Sequence, residues 1–138
     1  MAFKNEESKE DEYFTGTADV VLHDSVIDLK CPWNVKTLQS NIFDMDSDYE
    51  WQGRGYMHLY GKEKFILFYA LMDTPEDLNY GNEISYSHLP LNERWLAYQV
   101  NHDQSIIGSI IERVKQCRDY LEQYDKLVKS KLGIITIK

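Results

Sequence analysis

Two acids and a lysine stand among apolar residues near the start of the chain. Residues 17–34 read TADVVLHDSVIDLKCPWN, which places Asp19, Asp28 and Lys30 within short runs of valine, isoleucine and leucine. Ionised groups are costly inside apolar strands unless they are paired, hydrogen-bonded or bound to a metal ion. Carboxylate oxygens are ligands that suit Mg²⁺ or Mn²⁺. The residue types and their spacing therefore indicate metal-assisted hydrolysis.

A hairpin that turns at residues 23–24 would bring the two acids together. In that register Asp19 faces Asp28, and directly opposed residues have Cβ atoms about 4.5–5.5 Å apart. Acids that close repel each other unless a cation lies between them or one takes a proton. Lys30 shares a strand face with Asp28, where it could hold a water or a phosphate. A three-residue turn is the alternative, with the two acids on different faces and Asp28 in a partly exposed pair with Lys30.

The composition limits the classes of protein to which the chain can belong. Its 138 residues, of which 43% are hydrophobic, suit one domain with one small core. The net charge of −8 argues against a generic nucleic-acid binder, because phosphate contacts usually need an excess of lysine and arginine. A site that recruits metal ions to meet phosphate is compatible with this charge.

Membrane and secretion signals are missing from the sequence pattern. No apolar run approaches the roughly 20 residues that a membrane span needs. Residues 1–14 are acidic and lack the basic start and apolar centre of a signal peptide. Cys31 and Cys117 are too few for a disulfide framework. We therefore expect no membrane partner and a cytoplasmic location.

Periodicity and turn residues predict a single α/β domain over residues 12–138, preceded by a disordered or frayed lead-in at residues 1–11. The predicted elements are β-structure over 12–32, a helical turn at 34–41, a helix from Ser47 to just before Gly61, a strand over 64–72 buried on both faces, a short helix at 75–80, an edge strand over 93–100 and a long helix from Asp103. We expect the core at 12–75 and a C-terminal helical extension at 103–131.

Two groups of apolar residues are expected to pack in the core. Apolar residues step by three and four along the long helix, which predicts one buried stripe. That stripe comprises Ile106, Ile107, Ile110, Ile111, Val114, Cys117, Leu121, Tyr124 and Val128. Trp33 and Trp51 could stack on bases, as aromatic residues do in single-strand binders, but core packing is the favoured expectation for both.

Three ordered motifs resemble a known nuclease superfamily. GTAD at 16–19 and DLKCPWN from residue 28 are similar to the signature of the PD-(D/E)XK nucleases, G-x-P-D followed by (D/E)-x-K. Gln52 and Tyr56 match the Q-x(3)-Y motif of the RecB-type, phage lambda-exonuclease and YqaJ-like branch. KFILFYALMDTP, from residue 64, resembles the strand that follows the motif helix in that branch. The resemblance covers residues 12–75 most fully.

The resemblance implies a fold and a set of residue roles. The fold is a restriction-endonuclease-like core, in which helices flank a small mixed central sheet and a long helix ends the chain. Asp19 and Asp28 would bind Mg²⁺ (or Mn²⁺), helped by the main-chain carbonyl of Leu29. Lys30 would orient the attacking water or stabilise the developing charge. The Q-x(3)-Y glutamine would position the lysine, the water or the phosphate, and the tyrosine would support the DNA side of the cleft.

The resemblance also implies an activity and its partners. We expect a metal-dependent deoxyribonuclease, a phage recombination exonuclease in a bacterial host cell, with DNA as substrate. Relatives suggest a single-strand annealing protein and a homo-oligomer as further partners. Four basic residues that the sequence places around the motifs are the candidates for DNA contacts: Lys36, Arg54, Lys62 and Lys64.

Departures from the family pattern leave two other readings open. Ala18 replaces the usual proline, and Asp28 replaces the commoner glutamate with a shorter arm. Family members carry a helix before the first strand, whereas only a short acidic stretch precedes GTAD in this sequence. One alternative is therefore an inactive or truncated nuclease remnant that acts as a DNA- or protein-binding accessory module. The other is an endonuclease on the same core.

Overall fold

The structure, a computed structural model, describes residues 4–133 and contains a mixed four-stranded sheet. The first three residues of the expected lead-in and the last five of the expected domain lie outside this range. The elements are β1 (Lys9–Glu10), β2 (Thr15–Gly16), β3 (Val20–Val21), β4 (Ser25–Lys30), α1 (Val35–Ser40), α2 (Ser47–Tyr60), β5 (Lys64–Ala70), β6 (Trp95–Asn101) and α3 (Gln104–Lys131), with short 3₁₀ turns at Glu76–Leu78 and Leu91–Glu93. The chain divides into two compact units between His102 and Asp103.

The sheet has the strand order β3-β4-β5-β6. The central pair, β4 and β5, is parallel, and each of its strands has an antiparallel neighbour on its outer side. A parallel pair needs a crossover connection, which α1 and α2 supply. β6 lies at the sheet edge, as its sequence predicts. Together with the long final helix, this arrangement confirms the expected mixed α/β fold class.

The hairpin between β3 and β4 has the register that brings the acids together. Val20 pairs with Ile27 and Val21 with Val26, and the amide of Leu22 donates to the Ser25 carbonyl at 2.8 Å. The turn therefore has two residues at its tip. Of the two registers that the sequence allowed, the one that places the acids opposite each other is confirmed.

One face of β4 and β5 forms the core of the first unit. Val26, Phe65, Leu67 and Tyr69 lie on this face and are buried, and α2 packs against it. The opposite face of β5 is only half-buried, so the expectation that this strand is buried on both faces is wrong. The continuous apolar run misled the prediction, because periodicity cannot show how completely the second face is covered.

Helix α2 begins and ends where the sequence predicts. One of its glycines, Gly53, lies where a side chain would clash with the sheet. The carboxylate of Asp46 caps its N-terminus, and Gly61, in the left-handed region with φ 61°, ends it. A Cβ built on Gly53 would lie 2.0 Å from the Phe65 ring. Glycine weakens an isolated helix, but here it lets the helix backbone approach the sheet closely.

The described part of the expected lead-in is hydrogen-bonded rather than frayed. β1 pairs with β2, and the amide of Asn5 donates to the Asp19 carbonyl at 2.7 Å. The Asn5 side chain also donates to the Ala18 carbonyl at 2.9 Å. The acidic composition of this segment predicts solvation, but main-chain pairing to the strand region overrides it.

The second unit consists, in its described residues, of helix α3. Asp103 caps the helix through its carboxylate. The expectation that the whole apolar stripe is core is wrong for its distal half, because Leu121 is 60% exposed and Tyr124 and Val128 are also exposed. A single helix offers its own stripe no second layer to pack against. Within residues 4–133, no helix is long and apolar enough to cross a bilayer.

Candidate active site

Asp28 and Lys30 form an ion pair at the carboxyl end of β4. Their Oδ2 and Nζ atoms are 2.6 Å apart, and the two side chains are 5% and 27% exposed. Both point to the core face, because residues two apart share a side of a strand. β4 brings them beside Leu67 and Tyr69 of β5. The pair therefore lies where the buried face of the sheet reaches solvent.

Asp19 reaches across the hairpin to the same place. The register of β3 and β4, continued by one residue, sets it opposite Asp28. Its Oδ2 accepts a hydrogen bond from the amide of Leu29 at 2.7 Å. This contact holds the carboxylate beside the strand segment that carries Asp28 and Lys30.

The electrostatics of the three groups are those of a crowded, partly dry site. Burial raises the pKa of Asp28, and the nearby charge of Asp19 raises it further, against the opposing influence of Lys30. Burial alone would lower the pKa of Lys30, but the hydrogen bond and charge of Asp28 outweigh it, so the pKa of Lys30 is raised. Asp19 and Asp28 are thus close enough to repel each other, with the lysine partly compensating.

Gln52 and Tyr56 lie together on the face of α2 that is turned to the strands. The Gln52 amide donates to the Tyr56 hydroxyl at 2.8 Å, as residues one helical turn apart can. Burial raises the pKa of Tyr56, and the charges of Asp28 and Asp19 raise it further. The tyrosine hydroxyl therefore lies within the electrostatic influence of both acids, and Gln52 is hydrogen-bonded to it.

A glycine of the first motif makes room for this tyrosine. A Cβ built on Gly16 would lie 2.6 Å from Cε1 of Tyr56, so the ring packs directly on the backbone of β2. Beside it, an open groove of about 200 Å³ is lined by residues that include Phe14, Trp51 and Gln52. The groove gives solvent access to the helix side of the site.

Sequence reasoning missed Tyr49, which contacts Lys30. The ammonium lies over the Tyr49 ring, 4.5 Å from its centroid, in a cation–π contact that helps to hold the lysine in place. The signal was present in the helical period, because Tyr49 precedes Gln52 by three residues and Tyr56 by seven. The pattern did not single out Tyr49, because an aromatic residue on the inner face of a helix usually packs in the core.

The four basic residues expected to contact DNA lie in different surroundings. Lys36 is exposed on α1, six residues after Lys30. Arg54 is largely buried, with its guanidinium paired to Glu50 on the same helix at 2.5 Å. That pairing uses Nε and Nη2, and the remaining Nη1 is buried without a hydrogen-bond partner among the described residues.

The expectation that Lys62 and Lys64 flank the cleft is wrong. Lys64 pairs in register with Ser25, at the opposite end of β4 from Lys30. Its Nζ lies 2.8 Å from Oδ2 of Asp24, and Lys62 donates to the His23 carbonyl at 3.1 Å. Adjacency in sequence to the motif helix misled the prediction, because β5 begins beside the start of β4, at the opposite end from Lys30.

The expectation that Trp33 and Trp51 pack in the core is also wrong. Trp33 is 88% exposed and Trp51 is 52% exposed. The apolar character of the side chains favoured burial, but both lie on elements that border the site rather than on the inner face of the sheet.

The donor set is suited to a magnesium-like ion. Two carboxylates converge near the Leu29 main chain, and Oδ2 of Asp28 is buried without a hydrogen bond of good geometry in the described residues, although Lys30 is close. Mg²⁺ is usually held by one or two carboxylates and keeps several waters. No group of three or more His, Cys, Asp or Glu side chains within residues 4–133 is arranged to hold a metal ion. Asp19 and Asp28 supply the one or two carboxylates that Mg²⁺ usually takes from a protein.

The solved structures that resemble this chain are exonucleases. A phage-related exonuclease from Haemophilus somnus 129PT superposes with a TM-score of 0.70 and 25% sequence identity, over 94% of this chain and 63% of its own. An alkaline exonuclease from Laribacter hongkongensis superposes with a TM-score of 0.67 and 17% identity, over 96% of this chain and 64% of its own. The same enzyme in complex with dAMP gives a TM-score of 0.64 at 18% identity.

These similarities confirm the resemblance to phage-type exonucleases and the fold class that it implied. No protein-family model matches the chain, and neither does the sequence of a curated protein. The chain spans about two thirds of the length of the exonucleases, 63% and 64% of the two. The likeness at 17% and 18% identity concerns the fold alone.

Proposed function

We propose that this chain is the core of a metal-dependent deoxyribonuclease that hydrolyses DNA phosphodiester bonds, acting as a phage-type exonuclease at duplex ends. One observation carries the proposal. Asp19, Asp28 and Lys30 meet at the end of β4, in a fold similar to that of solved exonucleases. The hairpin register alone would be a structural detail, and the fold alone would leave the chemistry open.

The proposed roles follow from the position of each group. Asp19, Asp28 and the Leu29 carbonyl would hold Mg²⁺ or Mn²⁺. Such an ion, when bound, supplies a hydroxide-like nucleophile near neutral pH and neutralises charge in the transition state. Lys30 is an ammonium group without acceptor capacity, so it donates hydrogen bonds to the attacking water or to a phosphate oxygen. Tyr49 and Asp28 keep it in place for that purpose.

Gln52 and Tyr56 of α2 position the substrate in this scheme. Gln52 donates to the Tyr56 hydroxyl, and the tyrosine ring is fixed against Gly16. The second N–H of the glutamine amide is then available to orient the water or a phosphate oxygen. Tyr56 forms the wall between this region and the groove beside Phe14.

DNA is the proposed partner, despite the acidic net charge. The metal ion and Lys30 would supply the local positive charge that the chain as a whole lacks. A single-strand annealing protein, a homo-oligomer and a cytoplasmic, phage- or prophage-encoded origin belong to the same proposal, and they rest on the family resemblance.

A second candidate is a non-catalytic remnant that binds DNA or protein. The observation that favours it is the small number of acids, since the described residues hold no cluster of three or more metal-binding side chains. In that case the Asp28–Lys30 pair is a structural ion pair at the sheet end, without a metal.

Cleavage of labelled DNA distinguishes these candidates. End-labelled linear duplex and closed circular DNA are incubated with Mg²⁺, Mn²⁺ or a chelator. We expect metal-dependent degradation of the linear DNA alone, abolished by Asp28→Asn and by Lys30→Ala. Lys64→Ala is the matched control, because it removes a lysine with a carboxylate partner from the other end of the same strand pair. Cutting of circles would support an endonuclease, and no cutting would support the remnant.

A further inference from the structure

Trp33 presents its indole to solvent three residues after Lys30. It is 88% exposed, although tryptophan has a large apolar surface that is highly buried on average. With that exposure, the side chain packs little against the described residues. An exposed aromatic side chain close in sequence to a lysine of the proposed site is a candidate platform for base stacking.

The backbone of Trp33 is fixed, so its exposure does not come from a loose loop. The hydroxyl of Tyr86, itself a buried residue, donates to the Trp33 carbonyl at 3.2 Å. The amide of Tyr86 in turn donates to the Asp73 carboxylate at 2.7 Å. On the other side, Asn34 caps α1 by accepting from the Thr37 amide at 2.9 Å. The indole is thus displayed from an anchored position.

The distance from the lysine suits a contact with one nucleotide. Three residues of extended chain span at most about 11 Å, so the Trp33 backbone lies within that distance of the Lys30 backbone. A base attached to a nucleotide next to the cleaved phosphate is within reach of a side chain placed there. Stacking on an aromatic ring requires a free π-face, which a base inside a duplex does not offer.

We propose that Trp33 stacks on an unpaired nucleobase next to the scissile phosphate. This inference rests on the proposed function and deepens it by naming the substrate class. The site takes a DNA strand in which at least one nucleotide at the cut is unpaired, in a single strand or at a frayed duplex end. The contact is sequence-tolerant, because every base has a π-face.

A double-mutant cycle between protein and DNA tests the contact directly. A labelled six-nucleotide single strand is compared with a set in which one nucleotide at a time is abasic. Affinities are measured by fluorescence anisotropy in Ca²⁺, for wild type, Trp33→Ala and Trp33→Phe. We expect Trp33→Ala to weaken binding at least about 5-fold and Trp33→Phe to retain most of the affinity. The abasic change at one position should weaken wild type but leave Trp33→Ala unaffected.

The control is Trp95→Ala, which removes a half-exposed indole that stacks on Phe68 at 5.6 Å. It should leave the affinity unchanged. Trp33→Ala should keep the melting temperature of wild type, because the removed side chain contributes little to the core. A blunt duplex and one with two unpaired terminal nucleotides are then compared as cleavage substrates, and the preference for the unpaired end should disappear in Trp33→Ala.

The outcomes separate this inference from the proposed function. If wild type cleaves DNA and the effects of Trp33→Ala and the abasic nucleotide simply add, the stacking contact is wrong and the nuclease stands. If binding shows the coupling but no metal supports cleavage, the contact stands and the nuclease activity is wrong. Absence of both binding and cleavage overturns both.

Discussion

The amide of Leu29 donates a hydrogen bond of 2.7 Å to Oδ2 of Asp19, across the hairpin that joins β3 to β4. Leu29 lies between Asp28 and Lys30, so this one bond ties the first acid to the strand that carries the other two groups. An Asp19 displaced by one residue would face the other side of the sheet. The contact thus connects the hairpin register to the chemistry proposed for the site.

Two substitutions of Asp19 should separate its structural role from its chemical one. Asparagine keeps an oxygen that accepts from the Leu29 amide, so Asp19→Asn should change the free energy of unfolding by less than about 0.5 kcal/mol while abolishing DNA hydrolysis. Alanine removes the acceptor and should cost about 1 kcal/mol in addition. Urea unfolding and a cleavage assay measure the two effects. Full activity in Asp19→Asn would contradict the metal-ligand role.

Divalent metal should stabilise the folded chain. An ion that binds only the folded state at ten times its dissociation constant adds about 1.4 kcal/mol, which is a rise of several degrees in melting temperature. We expect this rise with Mg²⁺ or Mn²⁺ in wild type and its loss in Asp28→Asn. Asp24→Asn is the control, since Asp24 pairs with Lys64 at the other end of the strand. Equal rises in both variants would place the metal elsewhere.

The two helix glycines Gly53 and Gly108 should respond oppositely to alanine. A Cβ at Gly53 would lie 2.0 Å from the buried Phe65 ring, so Gly53→Ala should destabilise the protein by about 1–3 kcal/mol. At Gly108 in α3, no atom of residues 4–133 outside the helix's own nearby backbone lies within 4 Å of a built Cβ, and Gly108→Ala should stabilise the protein by about 0.4–1 kcal/mol. Thermal unfolding measures both. A stabilising Gly53→Ala would mean that α2 does not pack this closely on β5.

Stability should fall at high pH through Tyr69. Its hydroxyl is buried without a hydrogen-bond partner among the described residues, and burial raises its pKa from 10.0 to about 12. The contribution of the Tyr69 hydroxyl to the free energy of unfolding is fully present below pH 10. It is lost as pH rises toward 12, because the unfolded chain releases the proton first.

Tyr69→Phe should remove that component of the pH dependence. At pH 7 the variant should be at least as stable as wild type, because it loses an unsatisfied buried hydroxyl. The measurement is the difference in melting temperature between wild type and variant from pH 9 upward. Tyr80→Phe, which alters a fully exposed side chain, should reproduce the wild-type pH profile. A Tyr69→Phe profile that matches wild type would show that the hydroxyl is hydrated.

The sequence by itself determined most elements and the composition of the proposed site. The β3–β4 turn, the span of α2 and the edge strand β6 follow from local patterns, because turn residues, caps and periodicity act over a few residues. The sequence left two registers open for this hairpin, and only the structure decided for the one that sets Asp19 opposite Asp28. The spacing of Gln52 and Tyr56 on one helical turn is likewise a local property.

The tertiary structure alone decided which other side chains surround these groups. Lys64 lies at the far end of the sheet, Tyr49 lies beneath the ammonium of Lys30, and Trp33 is exposed although it is apolar. Each outcome depends on how the parallel strands align and on how α2 packs across them. Local sequence carries no information about such distant surfaces, because burial is a property of what the rest of the chain covers.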